Sequence, residues 1–321
     1  MIDFRYHLVS IVAIFLALAV GIVMGTTLLS SPAIESALQN AQDLRKSNND
    51  YREQLGALQA REERNDAFVS AEMPAIIRGQ LTGERVLLVA APGSSGTLRE
   101  QAEQVLVEAG ATISGQVTLT EKYVEPAQAN FVDQLSISLA TGVTLPGTDP
   151  HKNAAALLAA TLLTTDDTQA GTENTATRGV LEGFVEANLL TIDGTPAKRA
   201  TLALVVAPDG LFTGEKAQEQ TSALVTLAAG LDAGAQGAVL AGTMTSTQPG
   251  GLIAALRGTS DAAAKVSSVD TLDMPAGRAV VVFALREQLG GRSGQYGLGA
   301  DAAEFQPASS AATPAPSTSG S

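Results

Sequence analysis

Between Leu8 and Leu29 the chain carries no Asp, Glu, Lys or Arg. As a helix rising about 1.5 Å per residue, that run is roughly 33 Å long, enough to cross the hydrocarbon core of a bilayer. It predicts a single N-terminal transmembrane helix that holds the protein in lipid. Small residues recur at every fourth position within it: Ala13, Ala17, Gly21 and Gly25. They share one side of a helix, and Gly21 with Gly25 makes a GxxxG pair, which lets two helix backbones approach closely in lipid. The stripe is read as a helix–helix packing face, against the plainer reading that Ala and Gly are simply common in membrane helices. A cleaved signal peptide would need a basic leader and a shorter apolar stretch. Here only Arg5 precedes the run, offset by Asp3. The next positive charges are Arg45 and Lys46. That asymmetry points to an N-terminus inside and the bulk of the chain outside the cytoplasm.

Beyond this anchor (residues 1–30), Ser31–Pro32 can open a second helix, Pro being tolerated in the first turn. Residues 34–65 fit a heptad pattern. Its core positions include Ile34, Leu44, Asn48, Tyr51, Leu55 and Leu58, with Ala37 and Ala41 between them. A polar Asn at a core position lowers stability but can set register and strand number. Residues 31–70 are therefore expected to form a coiled-coil stalk. The alternative is one amphipathic helix packing on its own domain, because Gly56 and the polar end weaken the seam.

Residues 71–299 predict an α/β domain, a mostly parallel sheet with covering helices. Arg85–Ala91, Thr201–Ala207 and Gly237–Ala241 are short apolar runs suited to buried strands, and Thr112–Leu119 alternates. Helices fit between them at residues 97–109 and 217–231, giving βαβ units. Thr97 is placed as the cap of the first. Residues 120–200 read mainly as helix. Val266–Val269 and Ala279–Ala284 read as the last strands. Residues 300–321, rich in Ala, Ser, Pro and Thr, are expected to be a disordered tail.

The chemistry visible in the sequence is sparse. A net charge of −13 argues against a nucleic-acid partner. Without cysteine there are no disulfides or thiolate ligands. The Pro92–Gly96 loop could hold a phosphate at a helix N-terminus, but it lacks P-loop and dinucleotide spacing, so a tight strand–helix connection is the better reading. The segment Gly294–Gly299 (GQYGLG) reads as a turn or docking segment. His7 and His151 are the only imidazoles, and Met1, Met24, Met73, Met244 and Met274 are scattered. They define no metal ligand set, because Cu(I) prefers several soft ligands together. Asp166–Asp167 reads as a solvated loop. No G-x-S-x-G elbow occurs, so no catalytic residue and no cofactor are assigned, and the chain is not expected to be an enzyme.

The opening, MIDFRYHLVSIVAIFLALAVGIVMG, resembles the actinobacterial copper transporter family. The layout of stalk, α/β domain and late GQYG segment agrees with it over about residues 1–299. The resemblance implies a cell-envelope protein of copper efflux or homeostasis, an outer-membrane location and an oligomeric pore, with copper as the transported ion. The residues themselves offer one apolar helix instead of the alternating strands of a barrel. Its expected contacts are membrane lipid, further copies of itself and an envelope protein partner. The alternative is a membrane-tethered scaffold or interaction module with no transport of its own.

Overall fold

The computed structural model describes residues 4–28, 30–147, 149–173 and 175–308. The chain divides into two compact units, Met1–Asn65 and Asp66–Ser321. In the first, helix α1 spans Phe4–Leu28 and is long and apolar enough to cross a membrane. Helix α2 then runs from Ser30 to Ile77. Leu44, Asn48, Tyr51, Leu55 and Leu58 are all exposed on α2. The side chain of Ile34 lies outside the described residues.

The second unit is built on one sheet. Its strands are β1 (Arg85–Ala90), β2 (Thr112–Leu119), β3 (Leu190–Gly194), β4 (Leu202–Val206), β5 (Gly237–Ala241), β6 (Ser267–Val269) and β7 (Gln295–Tyr296). They lie in the order β3-β2-β1-β4-β5-β6-β7, all neighbours parallel except β3, which runs antiparallel to β2. The two α/β stretches legible in the sequence are thus halves of a single sheet. The order reverses between β1 and β4. The helices after α2 are α3 (Gly96–Glu108), α4 (Glu121–Val124), α5 (Ala129–Leu139), α6 (Pro150–Leu162) and α7 (Thr175–Glu186). They are followed by α8 (Ala217–Gly234), α9 (Leu252–Arg257), α10 (Ser260–Ala263) and α11 (Pro275–Leu289).

Every residue of β4 and β5 is buried. Covering helices bury both faces of a parallel sheet, which explains their unbroken apolar sequences. One face packs Leu87, Val89, Ala203 and Leu240 against α6 and α8. The other packs Leu88, Leu204 and Val239 against α3 and α11, and receives Met73 and Ile77 from the end of α2. Helices α6 and α8 cross so closely that a Cβ on Gly230 would lie 2.6 Å from that of Ala155, and one on Gly234 2.8 Å from that of Ala159.

Two expectations are corrected. Ala279–Ala284 is not a strand but the middle of α11, which begins at Pro275. Val280, Val281 and Val282 are all buried there, so residues 279–284 carry no polar side chain and the helical period is hidden within them. The cap of α3 is Ser95 rather than Thr97: its Oγ accepts from the Leu98 N–H at 3.4 Å. Past β7, the Ala303 N–H donates to Gln295 O at 2.8 Å and Phe305 packs against the second core. Residues 309–321 of the expected tail lie outside the described residues.

Candidate functional site

The small-residue stripe on α1 is exposed. Among the described residues, a Cβ added to Gly21 or Gly25 would meet nothing within 4 Å, and Ala13 and Ala17 are exposed. Thr26 turns its hydroxyl back on α1, donating to Ile22 O at 2.9 Å.

In a doubly wound sheet, ligands usually bind beyond the carboxyl ends of the strands, where the order reverses. Here that point lies between the loops after β1 and β4. The Ser95 N–H, at the start of α3, donates to the Asp209 carboxylate at 3.0 Å, and the Asp209 N–H donates to Gly93 O at 3.1 Å. The amide that could bind an external anion therefore already holds one from the chain itself. Gly93 carries this turn at φ +77°, a conformation that favours glycine. The loop that resembled a phosphate cradle is a clasp between the two halves of the sheet.

The GQYGLG segment has a related role. Asp270, just past β6, is wholly buried, and its Oδ2 lies 2.9 Å from Arg257 Nη1. Arg257 also donates to Ser268 Oγ and Tyr296 O, each at 2.9 Å. The Leu298 and Gly299 N–H groups donate to Asp270 at 2.8 and 3.1 Å. A Cβ on Gly297 would fall 1.9 Å from Asp270 Oδ1. Glycine is required there by close approach, not by a nucleotide.

The imidazoles are far apart in sequence and in role. His7 is exposed on α1. His151 lies in the first turn of α6, where Asp149 Oδ1 accepts from its backbone N–H at 2.9 Å. Its ring leans on Tyr123, with centroids 5.7 Å apart. His151 lines a cavity of ≈ 330 Å³ together with Asp149, Glu219 and Ser222. Burial holds the His151 imidazole below its ordinary pKa, partly opposed by the charge of Asp149, and pushes the Tyr123 phenol up. His151 Nδ1 and Tyr123 Oη have no hydrogen-bond partner among the described residues. A neutral imidazole is the form that can bind a metal. Among the described residues, however, no three His, Asp or Glu side chains converge into a metal site. Met73 is buried in the core, and Met24 and Met244 are exposed on separate elements. Met1 lies outside the described residues.

Asp166 caps its own turn, accepting from the Thr168 N–H at 2.9 Å and hydroxyl at 2.7 Å. Sequence reading missed Asp209, the Arg257–Asp270 pair and the Tyr123–His151 contact. Only the crowding of glycines at 294–299 signalled any of them.

The family model for "Copper transport outer membrane protein, MctB" matches residues 1–307. The copper transporter MctB of Mycobacterium tuberculosis H37Rv is 29% identical over 308 residues, covering 93% of this chain and 97% of its own. That of Mycobacterium leprae is 28% identical over 315 residues, with the same coverage.

Proposed function

The chain belongs to the MctB family of copper transport outer membrane proteins, and from that premise we propose that it is a membrane-anchored envelope protein of copper efflux or homeostasis. In this reading α1 is the anchor and the α/β domain lies outside the cytoplasm. Further copies of the chain associate through Ala13, Ala17, Gly21 and Gly25, and the α2 seam from Ile34 to Leu58 continues the contact as a coiled coil.

One observation supports the oligomer. The sheet is open, and its central strands are covered on both faces by helices. A membrane barrel instead needs closed strands that alternate apolar and polar. A single copy of α1 encloses no path, so a pore of this chain needs several copies. Copper is its cargo, not a resident cofactor, and no catalytic role is assigned.

The test is copper tolerance after deletion of the gene. Sensitivity rescued by the full chain but not by a chain lacking residues 4–28 supports the proposal. Unchanged tolerance, or full rescue without α1, overturns it. The second reading, a tethered interaction module, draws on the exposed strand β3 at the end of the sheet.

A further inference from the structure

Among the described residues, strand β3 ends the sheet on one side and pairs only through its β2 edge. The Thr120 N–H donates to Leu189 O at 3.0 Å and the Thr195 N–H to Ser114 O at 3.2 Å, and the register sets Thr118 opposite Thr191 and Gln116 opposite Asp193. Antiparallel alternation then turns the backbone groups of Thr191 and Asp193 toward β2, and those of Leu190 and Ile192 outward. Four of the five residues of β3 are exposed.

Helix α7 runs beside this edge, and the two bound an open groove of ≈ 680 Å³. Its apolar lining includes Leu181, Val185, Ile192 and Pro196, and Val185 and Ile192 remain 41% and 36% exposed. Its rim is acidic. Arg178 is held by Glu173 at 2.9 Å, whereas Glu182 and Glu186 form no ion pair among the described residues.

We propose that this edge and groove bind an extended segment of another protein, one that alternates apolar residues with Lys or Arg. The segment adds a strand to β3 through the outward groups of the exposed Ile192, beyond the point where Leu190 is wholly buried. Its apolar side chains enter the groove, its alternate cations fall on the opposite face beside the exposed Asp193, and the acidic rim of Glu182 and Glu186 attracts the segment as a whole. Main-chain pairing supplies affinity and the alternate side chains supply selectivity. A second copy of β3 fits less well, because it would bring Asp193, Glu182 and Glu186 of both chains together, and like charges across strands repel. The inference goes beyond the copper reading and does not depend on it.

The test uses the full chain in detergent micelles and a fluorescent, end-blocked heptapeptide of alternating Lys and Val. Its affinity is read by anisotropy and compared with that of the Glu/Val counterpart. Saturable binding of the Lys/Val peptide is expected, weakened about tenfold or more by Ile192→Pro, by Val185→Asp and by Glu182→Lys with Glu186→Lys. Val185→Asp makes an already acidic protein more acidic, so weaker binding there separates groove occupancy from general charge attraction, and it leaves the backbone edge intact should Ile192→Pro fail to fold. No binding, equal binding of the Glu/Val peptide, or affinity unchanged by Val185→Asp overturns the proposal. So does a chain self-association that Ile192→Pro abolishes.

Discussion

Arg257 and Asp270 face each other at 2.9 Å with side chains only 4% and 0% exposed, joining the end of α9 to the loop after β6. Two amides from the 298–299 turn complete the carboxylate's shell. The pair thus fastens the segment after β7 to the sheet.

Removing the cation strands a buried carboxylate. Arg257→Leu is expected to lower stability by about 3–5 kcal/mol, the usual effect of breaking a buried pair, and to raise amide exchange first across residues 295–305. Gly297→Ala should do comparable damage, because its Cβ would overlap Asp270 Oδ1. Gly291→Ala, at φ +70° with open space around it, should lose only about 1 kcal/mol. Urea midpoints of the three variants check the ordering.

Glycines in two helices should respond with opposite signs. Gly230→Ala drives a methyl into Ala155 across the α6–α8 crossing, and overpacking of this kind costs about 1–3 kcal/mol. Gly179→Ala lies in α7 with nothing within 4 Å, and should gain up to about 1 kcal/mol from helix propensity. Thermal unfolding of the two variants distinguishes them.

Acid should weaken the domain through His151. Burial keeps its folded pKa below the ordinary value. The unfolded chain therefore takes up more protons as pH falls through about 6.5. Stability is full above that value, declines as pH drops, and stops declining below the folded pKa. His151→Phe should flatten this slope as pH falls from about 6.5 toward the lower folded pKa, as read from denaturant midpoints.

Self-association of the anchor should fail when its small-residue face is filled. A Cβ at Gly21 or Gly25 meets nothing within 4 Å among the described residues, so reduced crosslinking of Gly21→Leu with Gly25→Leu in membranes would report contact between copies. Unchanged crosslinking would refute the packing face.

How far the fold could be read varied with how its elements are buried. β1, β4 and β5 are legible because a strand covered on both faces is an unbroken apolar run. β3 is not, because Leu-Thr-Ile-Asp-Gly at a sheet edge buries a single residue. α11 misleads for the opposite reason: its valines are buried on every side, and β-branched residues in a row read as a strand. Of the candidate sites, the α1 stripe is visible because it is local. Asp209 and Ser95 are 114 residues apart, and no spacing rule brings them together. GQYGLG was legible as a turn, but its purpose depends on Asp270, which only the sheet order places beneath it.

The contact between Asp209 and the first turn of α3 has a consequence for how this architecture can evolve or be engineered. A newcomer anion would have to evict a tethered rival whose local concentration never falls. Turning this domain into a phosphate binder therefore calls first for neutralising Asp209, and only then for building a pocket around Ser95.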